Sequence, residues 1–572
     1  MKKDYDLKTI LDGIDRKGYP AYKSTKGSYD FGSHVLTIDH VQGDPFAAPS
    51  HLTISVKGNK SGFPKEYYGE RHRRISLQDF LARRFHSIAS GFDRRAAGSG
   101  KSGVISTCCP GQEILERTAI RIDPESGDIS CRLHVGFPAN GRTINSRELI
   151  KILFDHLPEC VKKALYFSRS FADALEKTIF LADDQAYIRQ EMEKQGLCAF
   201  VADGSVLPRK SGVSDLPMKE AVPFCSPESL KIEMKLPHKG TVQGMGIKKG
   251  VTLIVGGGYH GKSTLLKALE LGVYNHIAGD GREYVITDST AVKIRSEDGR
   301  SVHGTDISFF INNLPDGRDT KHFFSEDASG STSQAANVIE AVESGSGLLL
   351  IDEDTCATNF MIRDALMQKV IASDKEPITP FIGKIRPLAE KGISTIMVAG
   401  SFGAYFSKAD TVIQMDNYRA VDITEKAKEA SGSLNREEGE NDAGVIIDIH
   451  PKFPVMKKHL DFGGRIKTKT LGTDGFMIDH DTVELRYTEQ LVCSGQCASL
   501  CRMLLYLAEG SFGRGKSLND MADWIIERIE EFGPDFLFKD SSYVPEGLTY
   551  VRKQELIACL NRCRFILMEN GI

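Results

Sequence analysis

Gly256-Gly257-Gly258-Tyr259-His260-Gly261-Lys262-Ser263-Thr264 is the stretch that decides the fold of this chain. It follows a short apolar, β-branched run at residues 251–255 and precedes a run with helical character at residues 265–269. Strand, glycine loop and helix form the context in which G-x4-G-K-[ST] indicates a phosphate-binding loop. Glycines let the backbone wrap around a phosphate, and the free N–H groups at the helix start face the anion. We therefore expect all residues of 256–264 to contact a nucleotide.

Two side chains of this loop carry specific chemistry. Lys262 is predicted to reach the β- and γ-phosphates, and the Ser263 hydroxyl is predicted to hold Mg²⁺. The alternative is a glycine-rich turn that binds nothing, and the flanking strand and helix argue against it.

A second informative stretch lies about 90 residues after Lys262. The buried-strand pattern Leu348-Leu349-Leu350-Ile351 ends in Asp352-Glu353, which is the Walker B pattern. Asp352 is predicted to bind Mg²⁺, and Glu353 is predicted to orient or deprotonate the attacking water. An apolar run that ends in two acids is weak evidence alone, and its spacing from the glycine loop makes it specific.

A serine-rich helix start precedes these acids by about twenty residues. Ser329-Gly330-Ser331-Thr332 opens a helix over residues 335–343, and this arrangement resembles that of ABC-class ATPases. There the N-terminus of the signature helix points at the γ-phosphate held by another subunit's loop, because the helix dipole and free N–H groups attract it. The chain carries one complete phosphate loop, so we predict a two-fold homodimer that closes on two ATP molecules.

Longer runs extend this resemblance to a family. They are residues 328–337, 351–364 and 376–381 (Glu376-Pro377-Ile378-Thr379-Pro380-Phe381), with residues 41–47 near the start and Glu489-Gln490-Leu491-Val492 near the end. They resemble the predicted ABC-class ATPase family of stand-alone, non-transporter proteins over nearly the whole chain. The resemblance implies ATP hydrolysis on an ABC-type fold, with ATP and Mg²⁺ as ligands. An association with RNA has been suggested for some members.

The chain also departs from ordinary ABC ATPases. The signature begins Ala-Ser-Gly-Ser-Thr, Asp354 replaces a usual proline, and residues 356–359 stand at the D-loop. Gly400 or Ser401 stands where a switch histidine is usual. Asn312 or Asn313 is the candidate substitute for the Mg²⁺-binding glutamine, and the sequence shows no convincing aromatic for stacking on adenine.

Composition sets broader limits. The length of 572 residues suits roughly two to four domains, and the net charge of -4 gives no overall bias toward polyanions. The sequence has no run of about 18 apolar residues, which predicts no membrane span. Residues 1–13 lack an apolar signal core, so we expect a cytoplasmic location and reduced cysteines.

Alternating strand and helix patterns predict an α/β fold, an ABC-type P-loop core with a mostly parallel sheet. The predicted regions are an α+β N-terminal domain (1–225), the ATPase domain (226–425), a charged linker (426–444) and a mostly helical α+β C-terminal domain (445–572). Within the ATPase domain, residues 284–287, 291–294 and 306–311 are predicted strands.

The segment 57–101 is locally basic. It holds eleven Lys and Arg residues against four Asp and Glu residues, a net charge of +7 with interleaved aromatics. It fits a nucleic-acid surface, RNA in particular, or a solvated helix face with core aromatics, and the second interpretation is slightly favoured.

The motifs together predict a magnesium-dependent ATP hydrolase that works as a nucleotide-gated dimeric switch. Action on RNA or another nucleic acid is an open hypothesis that rests on the segment 57–101 alone. A P-loop kinase or other phosphotransferase, and a nucleotide-sensing scaffold with little turnover, stay open as alternatives. A GTP-dependent module would need Asn-Lys-x-Asp downstream of the loop, and the sequence has none there.

Overall fold

The computed structural model describes residues 1–93, 98–363, 376–432, 447, 449–457, 466–538 and 543–570 of the chain. It forms two compact units. Unit 1 comprises Met1–Asp183 and Arg528–Tyr550, and unit 2 comprises Asp184–Glu527 and Val551–Ile572. The C-terminal part of the chain therefore contributes to both units. The predicted domain limits stay a prediction, and residues 433–444 of the predicted linker lie outside the described residues.

Unit 1 is built on a seven-stranded sheet. Its strands run in the order β1-β2-β3-β4-β8-β5, and β7 also pairs with β8. The strands of this part of the chain are β1 (Lys2–Lys3), β2 (Gly27–Asp30), β3 (Val35–His40), β4 (Ser50–Val56), β5 (Ile105–Ser106), β6 (Glu113–Ile114), β7 (Ile120–Ile122), β8 (Ile129–Val135), β9 (Ala139–Asn140) and β10 (Thr143–Ile144). The helices are α1 (Asp4–Ile14), α2 (Gly58–Ser61), α3 (Arg71–Ser90), α4 (Ser146–Lys151) and α5 (Leu157–Ala164), followed by α6 (Ala172–Lys194).

The sheet of unit 1 is apolar on one face. Along β4, Leu52, Ile54 and Val56 are buried while the residues between them are only half-buried. This period of two is typical of a strand that faces a core on one side. Leu7 and Leu11 of α1 and Phe85 of α3 belong to the same buried cluster.

Unit 2 contains the glycine loop. Its strands are β11 (Leu197–Ala202), β12 (Arg209–Ser211), β13 (Ser214–Pro217), β14 (Lys231–Leu236), β15 (Gly240–Lys248), β16 (Val251–Val255), β17 (Asn275–His276), β18 (Val285–Thr287), β19 (Val292–Ile294), β20 (Arg300–Thr305), β21 (Phe323–Ala328), β22 (Leu348–Asp352), β23 (Ser394–Val398), β24 (Thr411–Asp416), β25 (Arg419–Asp422), β26 (Lys452–Met456), β27 (Thr468–Thr470), β28 (Gly475–Ile478), β29 (Asp481–Glu484) and β30 (Ile566–Asn570).

Helices flank these strands. They are α7 (Lys262–Leu271), α8 (Gly330–Glu343), α9 (Thr358–Met361), α10 (Phe381–Glu390), α11 (Thr424–Gly432), α12 (Ser494–Gly510), α13 (Leu518–Phe532) and α14 (Lys553–Asn561). Throughout the described residues, no helix combines the length and the apolar character that crossing a bilayer requires.

The main sheet of unit 2 is mostly parallel, as predicted. Its order is β19-β22-β23-β16-β24-β25, in which the neighbours from β19 to β24 run parallel and β25 is an antiparallel edge strand. All five residues of β16, β22 and β23 are buried, which is typical of parallel strands that are covered on both faces. The α/β fold class is confirmed.

The register of this sheet aligns the ends of three strands. Val398 at the end of β23 pairs with Ile254 on one side and with Asp352 on the other. The glycine loop after β16 and the two acids at the end of β22 therefore leave the sheet at one edge. The carboxyl ends of parallel strands are where α/β sheets place their sites.

One predicted strand is wrong. Residues 306–311 form turns, with Ile311 in an isolated bridge, and the strand in this region is β20, which pairs with β21. The Asp306 carboxylate accepts the N–H of Ser308 at 2.9 Å, which closes a turn that the apolar pattern did not reveal. The predicted strands at 284–287 and 291–294 correspond to β18 and β19.

Candidate nucleotide site

The glycine loop joins β16 to α7 through a tightly curved backbone. Gly256 has φ 137°, Gly261 has φ 96°, and Tyr259 has φ 64°, which is uncommon for a residue with a side chain. A Cβ at Gly256 would lie 2.3 Å from the Met415 carbonyl oxygen, so only glycine fits there. Gly261 is the N-cap of α7 and has no side chain to cap it, which leaves the N–H groups of the first turn for another acceptor.

The Lys262 side chain folds back over this loop. Its Nζ donates to the carbonyl oxygens of Gly256 and Gly257, both at 2.8 Å. Gly257, Gly258, Tyr259 and Ser263 are exposed, whereas Gly256, His260, Gly261, Lys262 and Thr264 are half-buried. The Lys262 ammonium group thus lies over the backbone of the glycine loop, next to the positive N-terminal end of α7.

The turn between β24 and β25 braces the loop, which the sequence analysis missed. Its two central residues, Asn417 (φ 46°) and Tyr418 (φ 66°), both adopt the left-handed conformation of a tight hairpin. The Asn417 N–H donates to His260 Nδ1 at 2.9 Å. A Cβ at Gly261 would be 3.2 Å from Tyr418 Cδ1, so this half-exposed ring lies against the loop. The available signal was Asn417 directly after the apolar strand β24, because asparagine is a common residue of tight turns.

The two acids differ in their surroundings. Asp352 is buried, and its Oδ1 accepts the N–H of Asp354 at 3.3 Å. Glu353 is half-buried, and its Oε2 accepts the N–H groups of Gly400 at 2.7 Å and Ser401 at 3.0 Å. Gly400 and Ser401, the two candidates for the position of the switch histidine, therefore hold the predicted catalytic carboxylate through their backbone. Hydrogen bonds from backbone donors to a carboxylate are charge-assisted and fix its position.

The serine-rich turn starts α8 at the surface of unit 2. Ser329 is the N-cap and is exposed; Gly330 and Thr332 are half-buried, and Ser331 is buried. Ser329 Oγ lies 3.0 Å from Thr332 Oγ1 instead of capping the helix. The first-turn N–H groups of α8 are thereby left without a side-chain cap, as at α7. That this turn faces a second subunit stays a prediction.

A buried ionic network anchors α8. Arg300 donates to Asn337 and Glu340, and Arg562 donates to Asn337 at 3.0 Å and to Glu297. Burial by itself raises the pKa of Glu340, but Arg300 and Lys452 bring it below its ordinary value. These buried ion pairs and hydrogen bonds therefore hold α8 in place. Removing one partner of such a pair would leave an uncompensated buried charge.

Other predicted positions lie at the surface. Asn312 and Asn313 are exposed, and the Asn312 N–H donates to the Pro377 carbonyl at 2.8 Å. In the segment at the D-loop position, the Ala357 N–H donates to Gln334 Oε1 at 2.8 Å, while Thr358 and Asn359 are exposed.

The basic segment 57–101 lies in unit 1, and its described arginines have partners within that unit. Arg71 pairs with Glu116 at 3.2 Å, Arg73 with Asp183 at 2.7 Å and Arg83 with Asp79 at 2.6 Å, and Arg84 lies over the Phe171 ring at 4.2 Å. Phe85 is fully buried in the core. These contacts favour the interpretation as a helix face with core aromatics. Arg94 and Arg95 lie outside the described residues.

A glycine loop, a lysine above it and an Asp-Glu pair at the same edge of a parallel sheet define a P-loop ATPase domain. Comparison with family models agrees. Residues 171–451 match the P-loop domain of the ABC ATPases, residues 5–168 match the N-terminal domain of ATPases of the ABC class, and residues 467–569 match the MRB1590 C-terminal domain. The chain therefore carries the N-terminal and P-loop domains of the ABC-class ATPases.

Individual relatives are more distant. The uncharacterized protein MJ1628 of Methanocaldococcus jannaschii is 30% identical over 265 residues, which cover 42% of this chain and 55% of that protein. The chain thus matches about half the length of this curated relative. Among solved structures, the ADP conformation of MJ1267, an ATP-binding cassette of an ABC transporter, is 13% identical with a TM-score of 0.22, covering 32% of this chain and 86% of that one. CbiO1 of Clostridium perfringens, part of the transporter complex cbiONQ, is 14% identical with a TM-score of 0.26, covering 42% and 96%.

Proposed function

We propose that this chain binds ATP with Mg²⁺ and hydrolyses it, and that two copies close on two nucleotides as a switch. The observation that carries the proposal is the position of Glu353. Its carboxylate is held by two backbone N–H groups, beside Asp352, at the sheet edge from which the glycine loop leaves. A carboxylate fixed in this way is suited to accept a proton from an attacking water.

The residues present fit a magnesium nucleotide. The uncapped start of α7 offers N–H groups and the Lys262 ammonium offers charge, and both select a polyphosphate. The Ser263 hydroxyl and the Asp352 carboxylate are the oxygen ligands that Mg²⁺ prefers, and the ion would neutralise charge on the phosphate oxygens. Residues 256–264 would then hold the phosphates.

The Tyr418 ring provides an aromatic surface on which the adenine base of ATP can stack. This ring lies against Gly261, and the residue as a whole is 54% exposed. A flat, half-exposed aromatic ring beside a phosphate loop suits stacking by a nucleobase, which needs no particular hydrogen-bond pattern. We infer that the base stacks on Tyr418, which supplies the aromatic contact that the sequence did not reveal.

The start of α8, which lacks a side-chain cap as α7 does, supports the proposed dimer. The N-terminus of α8 is exposed at Ser329, and the chain holds one complete glycine loop. A second copy related by a two-fold axis can place its Ser329–Thr332 turn against the γ-phosphate bound by the first. Hydrolysis removes that phosphate and with it the contact that holds the two copies together. RNA binding by the segment 57–101 is no part of this proposal, because its described arginines are paired internally.

The test is phosphate release from Mg-ATP by the purified full-length chain, without any added acceptor. We expect steady turnover, loss of turnover with EDTA, and a doubled molar mass by light scattering when ATP is present and hydrolysis is blocked. A requirement for an acceptor molecule would instead identify a phosphotransferase. A permanently ATP-bound dimer that never releases phosphate would identify a scaffold, and either result overturns the proposal.

A further inference from the structure

Three histidines form a row across neighbouring strands of unit 1, far in the sequence from the nucleotide loop. His40 of β3 pairs with His51 of β4, and His51 pairs with His134 of β8. Residues directly opposite each other in an antiparallel sheet point to the same face. This row lies on the face opposite the core, since the neighbours Leu52 and Val135 are buried.

Glu546 completes a cluster with two of these histidines. His134 Nε2 lies 2.9 Å from Glu546 Oε2 and 2.9 Å from His51 Nδ1, and His51 Nδ1 lies 3.8 Å from the same carboxylate oxygen. The three side chains keep 20%, 23% and 14% of their surface exposed for His51, His134 and Glu546, so the cluster is sheltered but reachable. The rings of His40 and Tyr543 lie beside His51, with centroids 5.7 and 4.7 Å away.

One nitrogen of this cluster faces two partners at hydrogen-bond distance. His134 Nε2 lies 2.9 Å from Glu546 Oε2 and 2.9 Å from His51 Nδ1. An imidazole nitrogen carries either one N–H or one lone pair, so it makes one full hydrogen bond and not two. A cation among the three atoms contacts all of them.

The spacing fits a small transition-metal ion. A point in the plane of the three atoms and equidistant from them lies about 1.9 Å from each, against roughly 2.0–2.2 Å for zinc–nitrogen and zinc–oxygen bonds. An ion slightly above that plane therefore reaches all three at ordinary bond lengths. Two imidazoles and one carboxylate are a ligand set that zinc accepts, with solvent as the fourth ligand.

We propose that His51, His134 and Glu546 bind one zinc-like divalent cation. The ion fastens the segment 543–550, which returns from the C-terminal part of the chain, onto the sheet of unit 1. That segment already touches the sheet region through Thr118, whose hydroxyl donates to the Pro545 carbonyl at 2.6 Å and whose N–H donates to the Leu548 carbonyl at 3.0 Å. Metal ligands far apart in sequence couple metal binding to the folding of the segment that carries them.

The experiment titrates Co²⁺, as a coloured substitute for zinc, into chelator-treated full-length protein without nucleotide. We expect one Co²⁺ per chain with the visible absorption of four-coordinate cobalt, and displacement by Zn²⁺. His134→Ala and Glu546→Gln should each weaken binding at least about 100-fold. His480→Ala, which removes an exposed histidine of unit 2, and Asp352→Asn, which removes the predicted Mg²⁺ ligand, should leave the titration unchanged.

Circular dichroism melting shows whether each variant folds. If His134→Ala does not fold, Glu546→Gln, which preserves side-chain volume, still tests whether the cluster binds the metal. Absence of the cobalt spectrum in the wild type would overturn the proposal, as would equal binding by Glu546→Gln. Loss of binding in Asp352→Asn would place the ion at the nucleotide site instead and would equally overturn it.

Discussion

Replacement of Glu353 by glutamine should stop hydrolysis while leaving the site assembled. In the structure, Glu353 Oε2 accepts N–H groups from Gly400 and Ser401 at 2.7 and 3.0 Å. A glutamine amide oxygen has the same shape and can accept both bonds. The change therefore removes the charge and the basicity at this position and keeps the geometry.

The expected magnitudes follow from these contacts. A hydrogen bond to a charged group contributes roughly 1.5–3 kcal/mol and a neutral one about 0.5–1.5 kcal/mol, so each of the two bonds weakens by about 1 kcal/mol. Glu353 is half-buried, and solvent screening reduces this further, so the free energy of unfolding should fall by less than about 2 kcal/mol. Loss of a general base slows turnover roughly 10²- to 10⁴-fold, which corresponds to about 3–5 kcal/mol of barrier.

The assay compares single-turnover phosphate release with equilibrium binding of Mg-ATP. Glu353→Gln should bind ATP within a few-fold of wild type and accumulate as an ATP-bound dimer. Asp354→Asn is the matched control, because this exposed neighbouring acid loses the same charge and should hydrolyse normally. Hydrolysis by Glu353→Gln at the wild-type rate, or equal loss in both variants, would refute the role assigned to Glu353.

Three further outcomes follow from the structure. Lys262→Ala should weaken Mg-ATP binding about 100-fold or more in calorimetry, because a charge-assisted contact to phosphate is lost, whereas the exposed Lys249→Ala should bind normally; equal affinities would contradict the loop assignment. Tyr418→Ala should weaken ATP binding by about 1–3 kcal/mol and leave binding of inorganic triphosphate unchanged, and a parallel loss of both would exclude stacking. Burial, with a smaller effect of Lys457, lowers the pKa of His303 to about 4, so the folded chain holds it neutral while the unfolded chain binds a proton near pH 6.5. The stability that depends on neutral His303 is therefore present above pH 6.5 and is lost as the pH falls toward 4. The free energy of unfolding, measured by calorimetry, should fall by up to about 3 kcal/mol over this range, and it should fall less in His303→Gln.

Local patterns predicted the parts of the site that are contiguous in sequence. Residues 251–255 are largely apolar and β-branched, Gly256 and Gly261 occupy φ values open mainly to glycine, and the helix begins at Lys262. Each of these features depends on neighbours within a few residues. The Asp352-Glu353 pair at a strand end was visible for the same reason.

The contacts that complete the site were not visible, because they join distant residues through groups without a sequence signature. Glu353 meets the N–H of Gly400 and Ser401, and every residue except proline has such a donor. His260 meets the turn at Asn417, 157 residues away. The charge count of segment 57–101 could not show that Arg73 finds Asp183 110 residues later. The apolar pattern of residues 306–311 predicted a strand. The hydrogen bond from the Ser308 N–H to the Asp306 carboxylate stabilises a turn there instead.

The central claim is that one copy's glycine loop and another copy's Ser329–Thr332 turn together form each ATP site. Ser329→Asp tests it cleanly, because aspartate is as good an N-cap as serine and preserves α8 while placing a negative charge where the γ-phosphate is expected. Ser329→Asn, which caps equally well without the charge, is its control.

The most direct measurement mixes Lys262→Ala with Ser329→Asp, each inactive alone, and records phosphate release. In a mixed dimer, one ATP site combines the intact glycine loop of the Ser329→Asp copy with the intact turn of the Lys262→Ala copy. The other site combines the two altered elements. Random pairing should therefore restore about a quarter of the wild-type rate if the two sites act independently. No recovery on mixing, while both variants still form dimers, would contradict the shared site, as would full activity of Ser329→Asp alone.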